Sequence, residues 1–115
     1  MKVIEENGEY FFVQYDEEYS KSVLFEFIKE VYEKSQEAKC YKLLGDISNM
    51  TGTVGMIDRF EFGVKGAAMF RHGYKIALVY RAEEINGFAE NVSVNRGLNA
   101  RIFSKREKAL EWLLS

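Results

Sequence analysis

Proline is absent from this chain of 115 residues, and cysteine, histidine and tryptophan occur once each. Without proline no segment is forced out of a helix or ladder by a missing N–H, so glycine and small polar residues must make the turns. The lone cysteine, Cys40, excludes an intrachain disulfide. With a single histidine, His72, the ligand spacings of zinc sites are missing as well, and neither a metal nor a cofactor is expected. The longest plain apolar run, Ile76 to Tyr80, is far short of the roughly 20 residues that span a bilayer, and the N-terminus turns acidic at Glu5 before a signal-peptide hydrophobic region could form. A cytoplasmic location is the expectation. A basic excess is also lacking: 16 Lys and Arg face 18 Asp and Glu, for a net charge of −2, which argues against nucleic acid as a partner.

No low-complexity tract, repeat or linker breaks the chain, so residues 1–115 are expected to form one domain, long enough to bury roughly two-thirds of its unfolded surface. Charge is uneven along it. Met1 to Lys39 holds ten acids against five Lys, whereas Cys40 to Ser115 holds eleven bases, including all six Arg, against eight acids.

Hydrophobic periodicity defines the elements. Val3–Glu5 and Tyr10–Tyr15 flank Asn7 and Gly8, a pair suited to a tight hairpin. Leu24, Phe27, Ile28 and Val31 then repeat at three and four residues, the mark of an amphipathic helix. A short strand, Tyr41 to Asp46, precedes a Ser/Thr/Gly loop and a second helix with Ile57, Phe60, Val64, Ala67 and Ala68 on one face. Lys75 to Tyr80 reads as a strand covered on both sides, as in a parallel sheet. A third helix carries Ile85, Phe88, Ala89 and Val92 and stops near Gly97, and Asn99–Phe103 reads as the last strand. Ser104 with Glu107 has the spacing of a capping box at the start of a closing helix with Ala109, Leu110, Trp112 and Leu113. The expected fold is α/β, a mixed, mainly parallel sheet of about five strands with four helices in the order ββαβαβαβα.

Ligands of open α/β sheets lie outside the carboxyl ends of the strands. Here that rim would hold Asp46, Ser48, Asn49, Thr51, Gly52, Thr53 and Gly55 from one strand-to-helix passage, Arg81 from the next strand, and Lys105 beyond the last. Backbone N–H groups near Thr53 to Met56, with Arg81 or Lys105 supplying charge, could hold an anionic group. The alternative is an ordinary turn in which Asp46 or Thr53 caps the helix. The pair Gly52 and Gly55 matches neither a Walker sequence nor a dinucleotide fingerprint. Gly63, Gly66 and Ala67 leave a small-residue patch on the second helix beside Phe62, which would then be exposed, so a homodimer or partner interface is expected there. The phenylalanines of the helices could instead line an apolar pocket.

Three stretches of the chain resemble the SpoIIAA-like family, which is grouped with STAS modules and with the CRAL-TRIO lipid-binding fold. They are Leu43 to Gly52, Lys75 to Val79, and the C-terminal part through Phe88–Val92, Asn95–Gly97, Arg101–Phe103 and Ala109–Leu113. The resemblance implies a bacterial α/β domain with helices packed on a mixed sheet. Asp46, Ile47 and Ser48 match the strand end of STAS anti-sigma-factor antagonists, but the Asp-Ser pair of their phosphorylation motif is missing. The functional expectation is a non-catalytic regulatory or protein-interaction module with an unknown protein partner, the alternative being a binding protein for a small apolar, lipid-like ligand. No nucleophile, base and orienting group stand at catalytic spacing, so an enzyme is the less favoured class.

Overall fold

The computed structural model describes residues 1–115. The elements are β1 (Lys2–Glu6), β2 (Phe11–Tyr15), α1 (Lys21–Ala38), β3 (Lys42–Asp46), α2 (Met56–Phe70), β4 (Lys75–Val79), α3 (Phe88–Val94), β5 (Ala100–Phe103) and α4 (Arg106–Leu113). The order departs from ββαβαβαβα at one place, a 3-10 turn over Ala82–Glu84 between β4 and α3. The five strands form one sheet in the order 1-2-3-4-5, with β1 antiparallel to β2 and every other pair parallel.

That order decides where the helices go. Each crossover from β2 onward moves one strand in the same direction, and connections of one hand then fall on one face. Leu24, Phe27 and Val31 of α1 and Ala67 and Phe70 of α2 share a core with Phe11, Tyr15, Leu43, Ile76, Tyr80 and Ala100 of that face. The chain turns back only after β5, so α4 alone covers the other face, where Ala109 and Leu113 pack on Leu44, Ala77 and Val79. Side chains of β4 are buried on both sides, as its continuous apolar sequence requires. The strand order never reverses, and the crevice that a reversal opens in a doubly wound sheet has no counterpart here.

Several local expectations are corrected. The opening hairpin forms, but Glu6 pairs with Phe11, leaving a four-residue loop in which only Gly8 takes a positive φ (73°), so it is not the tight Asn-Gly turn. The capping box is not made: α4 starts at Arg106, with Lys105 as its N-cap and no side-chain cap. Ile85 lies before α3, which begins after Gly87 (φ 78°), with the Asn86 side chain accepting from the Phe88 N–H at 3.0 Å.

On α2 the expected inner face is largely the outer one. Ile57 is 77% exposed and Phe60 43%, whereas Gly63, Ala67 and Phe70 are buried. Gly63 is held against α3, where an added Cβ would stand 2.8 Å from Val92 Cγ1 and 3.0 Å from the Ala89 carbonyl. The small-residue patch is thus used inside the chain, by α3 and the sheet. Phe62, expected to be exposed, is half-buried and stacks on Phe25 at 4.3 Å between ring centroids.

Candidate functional site

Register places the carboxyl ends of β2 to β5 at one pole, with Gln14 beside Asp46, Asp46 beside Val79 and Val79 beside Phe103. Asp46 and Arg81 therefore sit at the same end. The residues expected there separate into two polar groups on opposite faces of the sheet edge.

The first centres on Asp46, which is 5% exposed. Its carboxylate accepts from the Ser48 N–H (2.9 Å) and hydroxyl (2.6 Å), and from Arg106 Nε (3.2 Å) and Nη2 (2.6 Å). Burial works to raise the Asp46 pKa, but the Ser48 and Arg106 hydrogen bonds and the Arg106 charge outweigh it and hold the carboxyl below its usual range. A carboxyl lowered in the folded state contributes stability at pH values above its unfolded pKa of about 3.9, and that contribution disappears as pH falls through the lower folded value. Asp46→Asn is accordingly expected to cost about 1–3 kcal/mol at pH 7, since the half-exposed Arg106 remains solvated, and to cost progressively less below about pH 4. Urea denaturation of both proteins across pH 2.5–7 checks this; a cost independent of pH would contradict it.

The second group closes the loop of residues 47–55 over the helix layer. Arg81 donates to the Met50 carbonyl, to the Gly52 carbonyl at 3.1 Å, and to Glu84 Oε1 at 3.3 Å. Glu84 also accepts from Thr53 Oγ1 (2.8 Å) and Arg59 Nη2 (3.4 Å). The Thr53 hydrogen bond, against some desolvation, together with the two guanidinium groups, lowers the Glu84 pKa. On the other side Thr51 exchanges backbone hydrogen bonds with Glu17 and Tyr19. Met50 and Val54 point inward and are buried, so the loop is a plug held at both edges.

On this rim Glu84 pairs with Arg59 and Arg81, and Asp46 pairs with Arg106. Gly55 is the α2 N-cap with no side-chain cap, so neither Asp46 nor Thr53 caps that helix. Asn49 and Lys105 are exposed and join neither group. Arg59, Glu84 and Arg106 were not among the expected site residues. Asp58 and Glu61, three residues apart on α2, are tied by Lys21 at 3.6 and 2.8 Å, with the Tyr19 hydroxyl donating to Asp58 at 2.7 Å.

Beneath the plug lies the main feature of the molecule, a partly open cavity of about 250 Å3 between the sheet and the three helices. Of the 26 residues lining it, 19 are hydrophobic, so water gains little by entering. Its floor is Val13, Leu43, Ile76 and Leu78, and its roof includes Phe27, Val31, Phe62 and Phe70. Small residues are in its wall: Gly66, where a Cβ would meet no atom within 4 Å, and Ala89 and Ala100. A wider hollow at the opposite pole, among Glu6, Lys39, Tyr41 and Lys75, is more open and is lined mainly by charged residues and glycine.

The polar members of the cavity wall are nearly all paired. Arg59 donates to the Val54 carbonyl (2.7 Å) and to Glu84, Glu90 accepts from the Ile102 N–H at 2.5 Å, and Ser93 donates to the Glu90 carbonyl. Tyr80 is the exception. It is 6% exposed, its hydroxyl has no hydrogen-bond partner, and burial raises its pKa. Tyr74, just before the other end of β4, shows the usual arrangement, with its hydroxyl bonded to Ser35 (2.6 Å) and Gln36 (2.9 Å).

No cluster of three or more His, Cys, Asp or Glu side chains could hold a metal ion, and no helix is long and apolar enough to cross a membrane. No protein-family model matches the chain, and no curated protein matches it.

Proposed function

We propose that this protein binds a small, largely apolar molecule between its sheet and helices α1 to α3. The observation that carries this reading is the apolar cavity of about 250 Å3, in a core where voids larger than a water molecule are rare. An engineered cavity of about 150 Å3 takes benzene, so by proportion this one suits a ligand of about ten non-hydrogen atoms. Such a ligand stabilises the fold by filling the void, and the plug of residues 47–55 and its Arg81–Glu84 contacts would have to loosen for exchange. The SpoIIAA-like assignment, with its link to the lipid-binding CRAL-TRIO fold, belongs to the same proposal.

The test is titration of 15N-labelled protein with α-methylstyrene, an apolar probe of suitable size. Amide resonances of Leu43, Ile76, Leu78 and Gly66 are expected to shift together and saturate at submillimolar probe. Shifts confined to surface residues, or none, would remove the reading.

A regulatory or protein-interaction role is the second reading. Met56, Ile57 and Phe60, exposed on α2, support it, and they are a different set from Phe62, Gly63, Gly66 and Ala67, which face inward. A homodimer through that outer face would make the sedimentation coefficient depend on concentration.

A further inference from the structure

Tyr80 supplies the one buried polar group in the cavity wall that the chain leaves unsatisfied. Buried hydroxyls are paired as a rule, and an orphan costs about 1–3 kcal/mol, so its persistence calls for a partner from outside the chain. The groups around it cannot serve. Arg59 and Arg81 lie over the faces of its ring, 6.0 and 5.5 Å from the centroid, and both guanidinium groups are committed to carbonyls and to Glu84. Glu84 is held by Thr53, Arg59 and Arg81, and the Tyr19 hydroxyl donates to Asp58.

Resting on the binding reading above, we infer that the ligand is a neutral molecule carrying one hydrogen-bond acceptor oxygen, such as a ketone, aldehyde or ester carbonyl, seated with that oxygen on the Tyr80 hydroxyl and its apolar body against the hydrophobic wall of the cavity. Neutrality follows from the charge balance of the wall. A carboxylate or phosphate would need a free cation, and Arg59 is already matched by Glu84. An amine would need a free carboxylate, and Glu90 is engaged with the β5 edge. Selectivity comes from the same hydroxyl, because a ligand without an acceptor leaves it buried and unpaired, whereas a ligand with one removes that cost.

Acetophenone and α-methylstyrene are a matched pair of probes, differing in a carbonyl oxygen against a methylene group. Partition alone favours the hydrocarbon. The expected result is that the wild type binds acetophenone more tightly, that Tyr80→Phe binds α-methylstyrene more tightly, and that the ratio of the two dissociation constants changes about tenfold between the proteins. In a second readout that needs no variant, the carbonyl stretch of acetophenone bound to the wild type is expected below its position in hexane. If both probes bind with the same ratio in the two proteins and the stretch is unshifted, the carbonyl assignment is overturned while binding in the cavity stands. If neither probe binds the wild type, both the assignment and the binding reading fall.

Discussion

Gly66→Leu is expected to stabilise the protein by about 2 kcal/mol and to abolish probe binding. Two effects add. Glycine inside a helix is about 1 kcal/mol less favourable than a good helix former, and a leucine side chain moved from water into apolar surroundings gains about 1.5–3 kcal/mol, of which rotamer ordering takes back a part. Position 66 permits this because its backbone is ordinary α-helix and a Cβ there meets no atom within 4 Å. It also lies on the stripe Phe62, Gly63, Gly66 and Phe70 that faces the cavity. Thermal and urea unfolding measure the first effect, and titration with α-methylstyrene the second. A leucine that lowers stability would mean that the space beside Gly66 is closed.

Gly63→Ala, three residues away on the same helix, is expected to act in the opposite direction. Here the new Cβ would sit 2.8 and 2.9 Å from Val92 side-chain atoms and 3.0 Å from the Ala89 carbonyl oxygen. The valine is stiff at χ1 and the carbonyl belongs to α3, so neither yields cheaply and α3 must move off α2. Overpacking of this kind costs about 1–3 kcal/mol, which exceeds the helix-propensity gain of under 1 kcal/mol. A net loss of about 1–2 kcal/mol, with the resonances of α3 most perturbed, is the expected outcome. Unchanged stability would show that α3 is not packed tightly on α2.

These glycines also mark the limit of what the sequence discloses. Strands and helices with strong periodicity, such as Leu24, Phe27 and Val31 or the run Ile76 to Tyr80, are placed by their patterns because burial of large apolar side chains selects a face. The α2 helix was misread for the same reason. Its inner stripe is rich in glycine and alanine, which carry little hydrophobic signal, while Ile57 and Phe60 stand outside. A cavity is made from side chains that are missing, and it becomes legible only when Gly66, Ala89 and Ala100, from three separate elements, are brought around one space. That Asp46 and Arg81 lie at one pole of the sheet was legible, since strand direction alone puts them at the same end. Their pairing was not, because Arg106 and Glu84, 60 and 38 residues from Asp46, meet the rim only through the crossover geometry and the 3-10 turn.

The sheet order connects fold to proposed function. With α1, α2 and α3 all on one face and α4 on the other, three helices must cover one surface of five short strands while also packing on each other. Gly63 lets α3 approach α2 closely, and the room left between that pair, α1 and the sheet becomes the chamber. A molecule bound there only in the folded state would raise stability in proportion to its occupancy.

Diffraction from crystals held under xenon pressure tests the central claim most directly, because xenon occupies dry apolar cavities regardless of the natural ligand. The expected result is a xenon site bounded by Leu43, Ile76, Leu78, Phe62 and Phe70, lost in Gly66→Leu. No xenon between helices α1 and α2 and the sheet would contradict the account.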